Sequence, residues 1–349
     1  MGSEQAGTTP GLMVSEIKQI NLEMAGGCNL KCPMCPQSTG REKDFLKRLP
    51  LEEFRKIIDQ ALPLGLRYVN LSGSGEPLLH TGLEEAVAYL AERRLISMIY
   101  TNGVRLTPER FESLCKARLS ICKVSCQGWD RESYAKWMSV DAFDQVRANL
   151  KVCVSFLKAN GYATELQTNH LIHDYDQREY QTQQYVKNWV DYLGVQAEIW
   201  LEHNWSGQYK DAVPREQLFQ RKRRSCGRPM GSVVEIRAGG VGNKYGAVVP
   251  CPFVLGQDSK AVMGHTQDTP LMDIVNGEKM LALRTAHLSG DFDSVDYCRN
   301  CDQLYEVQES LVWTNIPGRT YGPSRISGIN YLDFSSQKAG EPEGVSATG

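Results

Sequence analysis

Seven of the eleven cysteines in this 349-residue chain fall into two groups with ligand spacing. Cys28, Cys32 and Cys35 stand as C-x3-C-x2-C in GGCNLKCPMCPQS. Three thiolates this close together can wrap one face of a cubane iron–sulfur cluster, and a fourth is needed to close it. Three leave one iron open, the arrangement that separates a reactive metal site from a structural one. The alternative is a zinc site completed by a histidine, but the next histidine downstream is His80. The second group, Cys226, Cys251, Cys298 and Cys301, reads C-x24-C-x46-C-x2-C. Four cysteines saturate one cluster, or one structural zinc ion. No cysteine follows Cys301, which leaves ligands for a single cluster there. The other four, Cys115, Cys122, Cys126 and Cys153, are scattered, and an unpaired cysteine commonly behaves as a small buried hydrophobe.

The elements that must position these groups are legible as an alternation. Strand-like segments 17–24, 67–77, 96–103, 120–128, 163–172 and 195–202 alternate with helix-like segments 51–62, 83–94, 107–117, 143–161 and 177–194. About six βα repeats predict a parallel sheet with helices outside. In such folds the chemistry gathers at the C-terminal ends of the strands, and the first cysteine loop follows the first strand directly. After residue 203 the character changes. Residues 232–240 and 244–251 read as a hairpin, and 270–288 as one helix. The expected organisation is an N-terminal segment 1–16, a sheet domain 17–203, a cysteine module 204–316, and a tail 317–349 whose last ten or so residues are disordered.

Composition excludes several classes. A formal net charge of −2 gives no global attraction to nucleic acid. With 41% hydrophobic and 23% charged residues the chain is an ordinary globular one, and no apolar run suits a membrane span. The polar N-terminus MGSEQAGTTPG lacks a signal-peptide pattern, so a cytoplasmic location is expected. There disulfides are unfavourable, which turns clustered cysteines toward metal. The basic run RKRR at 221–224 is read as a solvated helix face, with a place near the negatively charged cluster, or one that meets an electron donor such as flavodoxin, as alternatives.

CNLKCPMC resembles the signature loop of the radical S-adenosylmethionine (SAM) superfamily, including a bulky Met34 before the third cysteine. The resemblance covers roughly residues 17–202 and implies a partial (β/α)6 TIM barrel. It also implies a [4Fe–4S] cluster on Cys28, Cys32 and Cys35 whose open iron binds SAM, and a 5′-deoxyadenosyl radical on reduction by a flavodoxin- or ferredoxin-type donor. Gly73-Ser74-Gly75-Glu76-Pro77 resembles the family's glycine–glutamate motif, whose backbone and carboxylate meet the SAM ammonium. Thr101-Asn102-Gly103 matches its TNG turn. Ser125 matches a family serine, but Gln127 stands where relatives carry Asp. Gln167 and Asn169 on the fifth strand are weaker candidates for SAM contact. SCGRPM, VVPCPF and YCRNC resemble the shortened SPASM module called a twitch, which implies one auxiliary [4Fe–4S] cluster on the second cysteine group. Aminocyclitol and aminoglycoside dehydrogenases and epimerases, such as the 2-deoxy-scyllo-inosamine dehydrogenases, share this layout.

The expected reaction is hydrogen-atom abstraction from a sugar or aminocyclitol carbon, followed by oxidation or epimerisation, in antibiotic or natural-product biosynthesis. The first strand begins near residue 17, with no leader-peptide-binding domain expected before it, which favours a small substrate. A peptide-modifying enzyme, or a redox-neutral elimination or decarboxylation of a sugar, is the alternative. Epimerisation needs a hydrogen donor, and Cys126 is the candidate thiol. Dehydrogenation needs a proton acceptor, for which His203 is chosen from a set that includes Glu202, Asn204, His170 and Asp174.

Overall fold

The computed structural model describes residues 12–220, 222–256, 258–305 and 311–317. Six parallel strands form its centre: β1 (Gln19–Leu22), β2 (Tyr68–Asn70), β3 (Ile96–Thr101), β4 (Ile121–Ser125), β5 (Glu165–Ile172) and β6 (Gln196–Leu201). Each pairs in parallel with the next, as short right-handed βα connections require. Helices α1 (Leu51–Ala61), α2 (Leu83–Glu92), α3 (Pro108–Lys116), α4 (Arg131–Met138), α5 (Phe143–Asn160) and α6 (Arg178–Tyr185) follow the strands. The helix expected over 177–194 is regular only to Tyr185 and continues as a π-helical turn, Val186–Asp191. Helix α4 lies in a stretch the alternation left unassigned; Asp130 and Ser133 cap it reciprocally.

The second half corrects two expectations. The hairpin forms as β7 (Val233–Gly240) and β8 (Lys244–Val249), but β7 also pairs in parallel with β1. The barrel sheet therefore runs on without a break into the hairpin and the short β9 (Gly264–His265). At the far edge β10 (Leu311–Thr314), unforeseen, closes on β6 in antiparallel fashion. After the small α7 (Arg215–Phe219), the helix expected at 270–288 is two, α8 (Leu271–Val275) and α9 (Glu278–Ser289). Asn276 and Gly277 separate them; Asn276 turns its amide back to the Val14 carbonyl at 2.8 Å. The expected disordered tail lies outside the described residues. Among the described residues no helix is long and apolar enough to cross a membrane.

The strands sort their side chains by face. Ile20, Leu22, Val69, Ile99, Cys122, Val124 and Leu166 join the core with helix residues such as Phe54, Leu90, Phe111 and Val146. The alternate positions are polar: Asn21, Asn70, Lys123, Gln167, Asn169, Glu198 and Glu235. Asn21 bonds Glu235 between neighbouring strands, and Lys123 meets Glu198 at 3.1 Å across β5. A barrel filled by branched apolar side chains is a packed core. This interior is built to hold polar atoms.

Candidate active site

The first cysteine loop is tied to the sheet by buried carboxylates. Glu23, just past β1, accepts from the Ser74 backbone N–H at 2.7 Å, the Arg41 guanidinium at 3.2 Å and the Ala238 N–H at 3.2 Å. It joins the loop, the Gly73–Pro77 turn and β7. Arg41 also reaches Asp258 at 3.2 Å and the Gly26 carbonyl at 2.8 Å. Such buried pairs contribute little net stability, but each fixes one geometry. Ser38 and Ser139 hold the Cys32 and Lys31 carbonyls, both at 2.8 Å. Met34 is buried.

The glycines of the turn serve close approach. A Cβ on Gly75 would lie 2.0 Å from the Ala25 carbonyl oxygen and 2.5 Å from that of Gly27. One on Gly73 would lie 2.5 Å from the Glu23 Cβ. Gly75→Ala should therefore displace the cysteine loop at a cost of about 1–3 kcal/mol. Thermal unfolding and iron content check this: a lowered Tm with iron lost from the N-terminal site is expected, against the unchanged iron of a merely solvent-facing turn.

Glu76 is 2% exposed, and its carboxylate is already engaged. It accepts from the Leu78 N–H at 3.0 Å, the Thr101 hydroxyl at 2.8 Å and the Asn102 N–H at 2.8 Å. Burial raises its pKa despite these donors. Glu76 thus clamps the Thr101-Asn102-Gly103 turn against the glycine turn. Asn102 in turn donates to Asn29 at 2.9 Å and lies 3.8 Å from the Cys28 sulfur. Gly103 takes a left-handed φ of 77° where a Cβ would strike Val124.

The three thiols feel one another. Burial, then the neighbouring cysteines, pushes Cys32 up to about 12; burial and Cys28 push Cys35 up to about 11. Cys28, the most exposed, is raised less. Among the described residues no three His, Cys, Asp or Glu side chains are gathered tightly enough for a single metal ion. A cubane spreads its thiolates around a larger body, so the donor set fits a cluster better than zinc. Buried acceptors without a protein partner, including Ser74 Oγ and Asn169 Oδ1, suit a polar ligand beside it.

The strand-end candidates divide by face. Ser125 pairs in register with Asn169, and both share the polar interior with Lys123. Gln167 sits deeper, its amide on Glu165 at 2.8 Å, away from the C-terminal end of β5. Cys126 is a correction. It is fully buried with Cys122 and Val124 on the helix-facing side, near Tyr134 of α4 and Tyr185 of α6. Burial pushes its thiol far up. It is a packing residue, turned away from the interior where a substrate radical would need its hydrogen. The Leu171 N–H donates to Gln127 Oε1 at 2.7 Å.

His203, the expected base, sits in an aromatic cluster, its Nε2 also without a protein partner. Its ring packs on Trp205 at 4.4 Å and Phe253 at 4.6 Å. Burial, with Arg215 and Arg228 nearby, drives its pKa well down. Beside it, Glu202, already among the candidate bases, has a partner that sequence reasoning missed, His173. His173 Nδ1 meets Glu202 Oε1 at 2.6 Å, with side chains 2% and 1% exposed. The His173 ring stacks on Trp137 at 3.5 Å, and its Nε2 has no protein partner. Burial, then Asp302 and Asp211, pushes Glu202 up to about 8; burial drives His173 down. Burial thus disfavours charge on both members of the pair.

Its surroundings connect both cysteine groups. Trp137 precedes Met138, whose carbonyl faces the Cys32 sulfur at 3.8 Å. On the other side Arg215 donates to the Leu201 and Glu202 carbonyls and faces Asp302 at 3.4 Å, the residue after Cys301. Asp302 raises both Glu202 and Cys301.

Cys226, Cys251, Cys298 and Cys301 line one cavity with Pro229, Phe253, Leu283 and Leu304 among its walls. Burial pushes Cys251 up to about 12, with Cys226 adding to it; Cys298 is raised by burial and by Cys251 and Cys226. Four thiols around one largely apolar cavity fit an iron–sulfur cluster. In the basic run, Arg223 is spent on Asp293 at 2.6 Å.

Comparison with known proteins agrees with this reading. The Radical SAM superfamily pattern matches residues 22–164, and the SPASM iron-sulfur cluster-binding domain matches residues 243–302. The chain carries a radical SAM domain followed by a SPASM-type domain, and its cofactors are SAM, a SAM-binding [4Fe–4S] cluster and auxiliary iron–sulfur. Among individual proteins it is similar to a probable GTP 3′,8-cyclase of Methanococcus maripaludis, 30% identical over 162 residues. That match takes in 45% of this chain and 53% of the relative, so the chain spans about half the relative's length. The structure of BtrN in complex with AdoMet and 2-DOIA superposes with a TM-score of 0.58 at 20% identity, over 86% of this chain and 100% of that one. Streptococcus suis SuiB bound to precursor peptide SuiA gives 0.60 at 16% identity, over 84% and 71%. At these identities the likeness is one of fold.

Proposed function

We propose that the chain dehydrogenates a small hydroxyl-bearing substrate, a sugar or aminocyclitol, held inside the barrel between its two cysteine groups. The observation that carries this is the buried His173–Glu202 pair, flanked by Trp137 toward the Cys32 loop and by Arg215–Asp302 toward Cys301. Cys28, Cys32 and Cys35 would hold the cluster that binds SAM, and Cys226, Cys251, Cys298 and Cys301 the auxiliary cluster. When bound, these groups supply a 5′-deoxyadenosyl radical that takes a hydrogen atom from carbon, and an acceptor for the second electron. The chain's residues do the rest. Ser74, Ser125 and Asn169 offer polar contacts to SAM. Glu76 and Asn102 hold the turns around Cys28 in place, and Met34 is buried within the loop.

The remaining task is a proton. With Glu202 ionised, His173 donates Nδ1–H to its carboxylate and keeps a lone pair on Nε2, free to accept the substrate hydroxyl proton. The imidazolium so formed is stabilised by the carboxylate beside it. Oxidation is favoured over epimerisation because the four spare cysteines, Cys115, Cys122, Cys126 and Cys153, are buried in the core shared with the helices.

The acceptor form requires ionised Glu202, whose pKa is raised to about 8. Below that pH the carboxyl is protonated and the pair is filled. Ketone formation should therefore rise with pH through about 8, and Glu202→Gln should remove that limb. A profile flat from pH 6 to 9 would count against the pair.

The substrate class is tested by anaerobic incubation with SAM, a reductant and a panel of carbon-deuterated aminocyclitols and aminosugars. A ketone with deuterium in 5′-deoxyadenosine supports the proposal. Turnover of peptides alone would replace it with peptide modification.

A further inference from the structure

One polar chain on the wall of the second cysteine cavity has no task in the reaction above. His287 of α9 lies with its Nε2 3.4 Å from the Cys298 sulfur. Its Nδ1 lies 3.0 Å from Ser225 Oγ, and Ser225 Oγ accepts the Gly227 backbone N–H at 3.2 Å. Ser225 and Gly227 flank Cys226, so the chain runs from beside one cavity cysteine to the sulfur of another. The tautomer follows from the sulfur. A ligating cysteine is a thiolate, an acceptor without a proton. A lone pair on Nε2 would face that negative sulfur; a proton there makes a hydrogen bond. With Nε2 protonated, Nδ1 is the acceptor and the Ser225 hydroxyl donates to it, its oxygen still open to Gly227.

We propose that His287 tunes the auxiliary cluster by donating its Nε2–H to the Cys298 sulfur, with Ser225 fixing the tautomer. A donor aimed at a cluster sulfur stabilises the more electron-rich state and raises the reduction potential. Partners in this outer layer also orient the ligand they touch. His287 is a positioning residue, acting through Cys298 and not on substrate. Its place is suited to this: it also lines an open groove with Arg223 and Arg224, and so forms the wall between the cysteines and solvent. The inference rests on the four cysteines holding a cluster, and not on the identity of the substrate.

The test uses the full chain, reconstituted anaerobically, as wild type, His287→Leu, His287→Gln and Ser225→Ala. Iron is counted, and each cluster is titrated by redox-poised electron paramagnetic resonance. Leucine keeps the wall but loses the donor; glutamine can return an N–H near the Nε2 position. His287→Leu should keep about eight irons and shift the auxiliary couple negative by about a tenfold change in equilibrium constant, or about 59 mV for one electron. The SAM-site couple should stay fixed. His287→Gln should recover most of the shift, and Ser225→Ala should show a smaller shift of the same sign. An unchanged auxiliary potential in His287→Leu with both clusters intact would overturn the proposal. So would loss of about four irons from both His287 variants, which would make the residue a ligand or a structural prop. A wild-type chain with zinc in place of the second cluster would instead remove the auxiliary cluster on which this rests, a separate failure.

Discussion

His173→Ala and Glu202→Gln should each lower ketone formation roughly 10²–10⁴-fold, the range for removing a positioned acid–base group. Reductive cleavage of SAM should continue in both, because neither side chain touches the cysteine loop directly. The measurement is the ratio of 5′-deoxyadenosine to ketone under anaerobic turnover. It should rise sharply in the variants, as hydrogen abstraction uncouples from product release. Glu202→Gln separates charge from shape: the amide can still face His173 Nδ1, but cannot stabilise an imidazolium. If both variants keep the wild-type ratio, the proton leaves by another route. His203→Ala is the matched comparison. With its ring wedged against Trp205 and Phe253, it should disturb packing near the second cavity and leave the ratio nearer to wild type.

The second large effect belongs to the first cysteine loop. Cys28→Ala should remove about four irons and abolish 5′-deoxyadenosine formation, while the fold and the second cysteine site survive. The reason is local. Cys28 is the most exposed of the three, and its sulfur is approached by the Leu30 N–H at 3.4 Å and the Asn102 amide at 3.8 Å, not by the core. Circular dichroism should be unchanged. Iron retained at the wild-type level in Cys28→Ala would take this cysteine out of the ligand set. Removing the metal from the wild type with a chelator should reproduce the lost chemistry. Re-addition of iron and sulfide should release protons, because buried Cys32 and Cys35 are raised to about 12 and 11 and must ionise to bind.

What was legible in the sequence was what is local. C-x3-C-x2-C lies within eight residues, and the strand-end glycines lie one βα unit apart. The six central strands show as apolar runs broken by polar residues, because one face meets helices and the other a polar interior. Pairings set by distant chain were not legible. Nothing in Leu311–Thr314 announces that it will close on β6, and nothing in 232–240 announces that it will lie beside β1. His173 and Glu202 sit 29 positions apart, at the ends of two strands, and form no motif. Glu202 stood among the possible bases, yet only its contact with His173 distinguishes it from His203. Cys126 was misjudged for a plainer reason. It follows Ser125 at a strand end, and period-two alternation puts it on the opposite face. The break between α8 and α9 does have a local signal, the Asn276-Gly277 dipeptide, which favours a turn.

Two separate cysteine groups are expected to hold two clusters on either side of one polar interior. Iron, acid-labile sulfide and zinc counted on the anaerobically reconstituted full chain test this most directly. About eight irons with matching sulfide and no zinc are predicted. About four irons with one zinc would contradict it: the C-terminal cysteines would then be structural, the second electron would have no acceptor there, and a redox-neutral reaction would take the place of dehydrogenation.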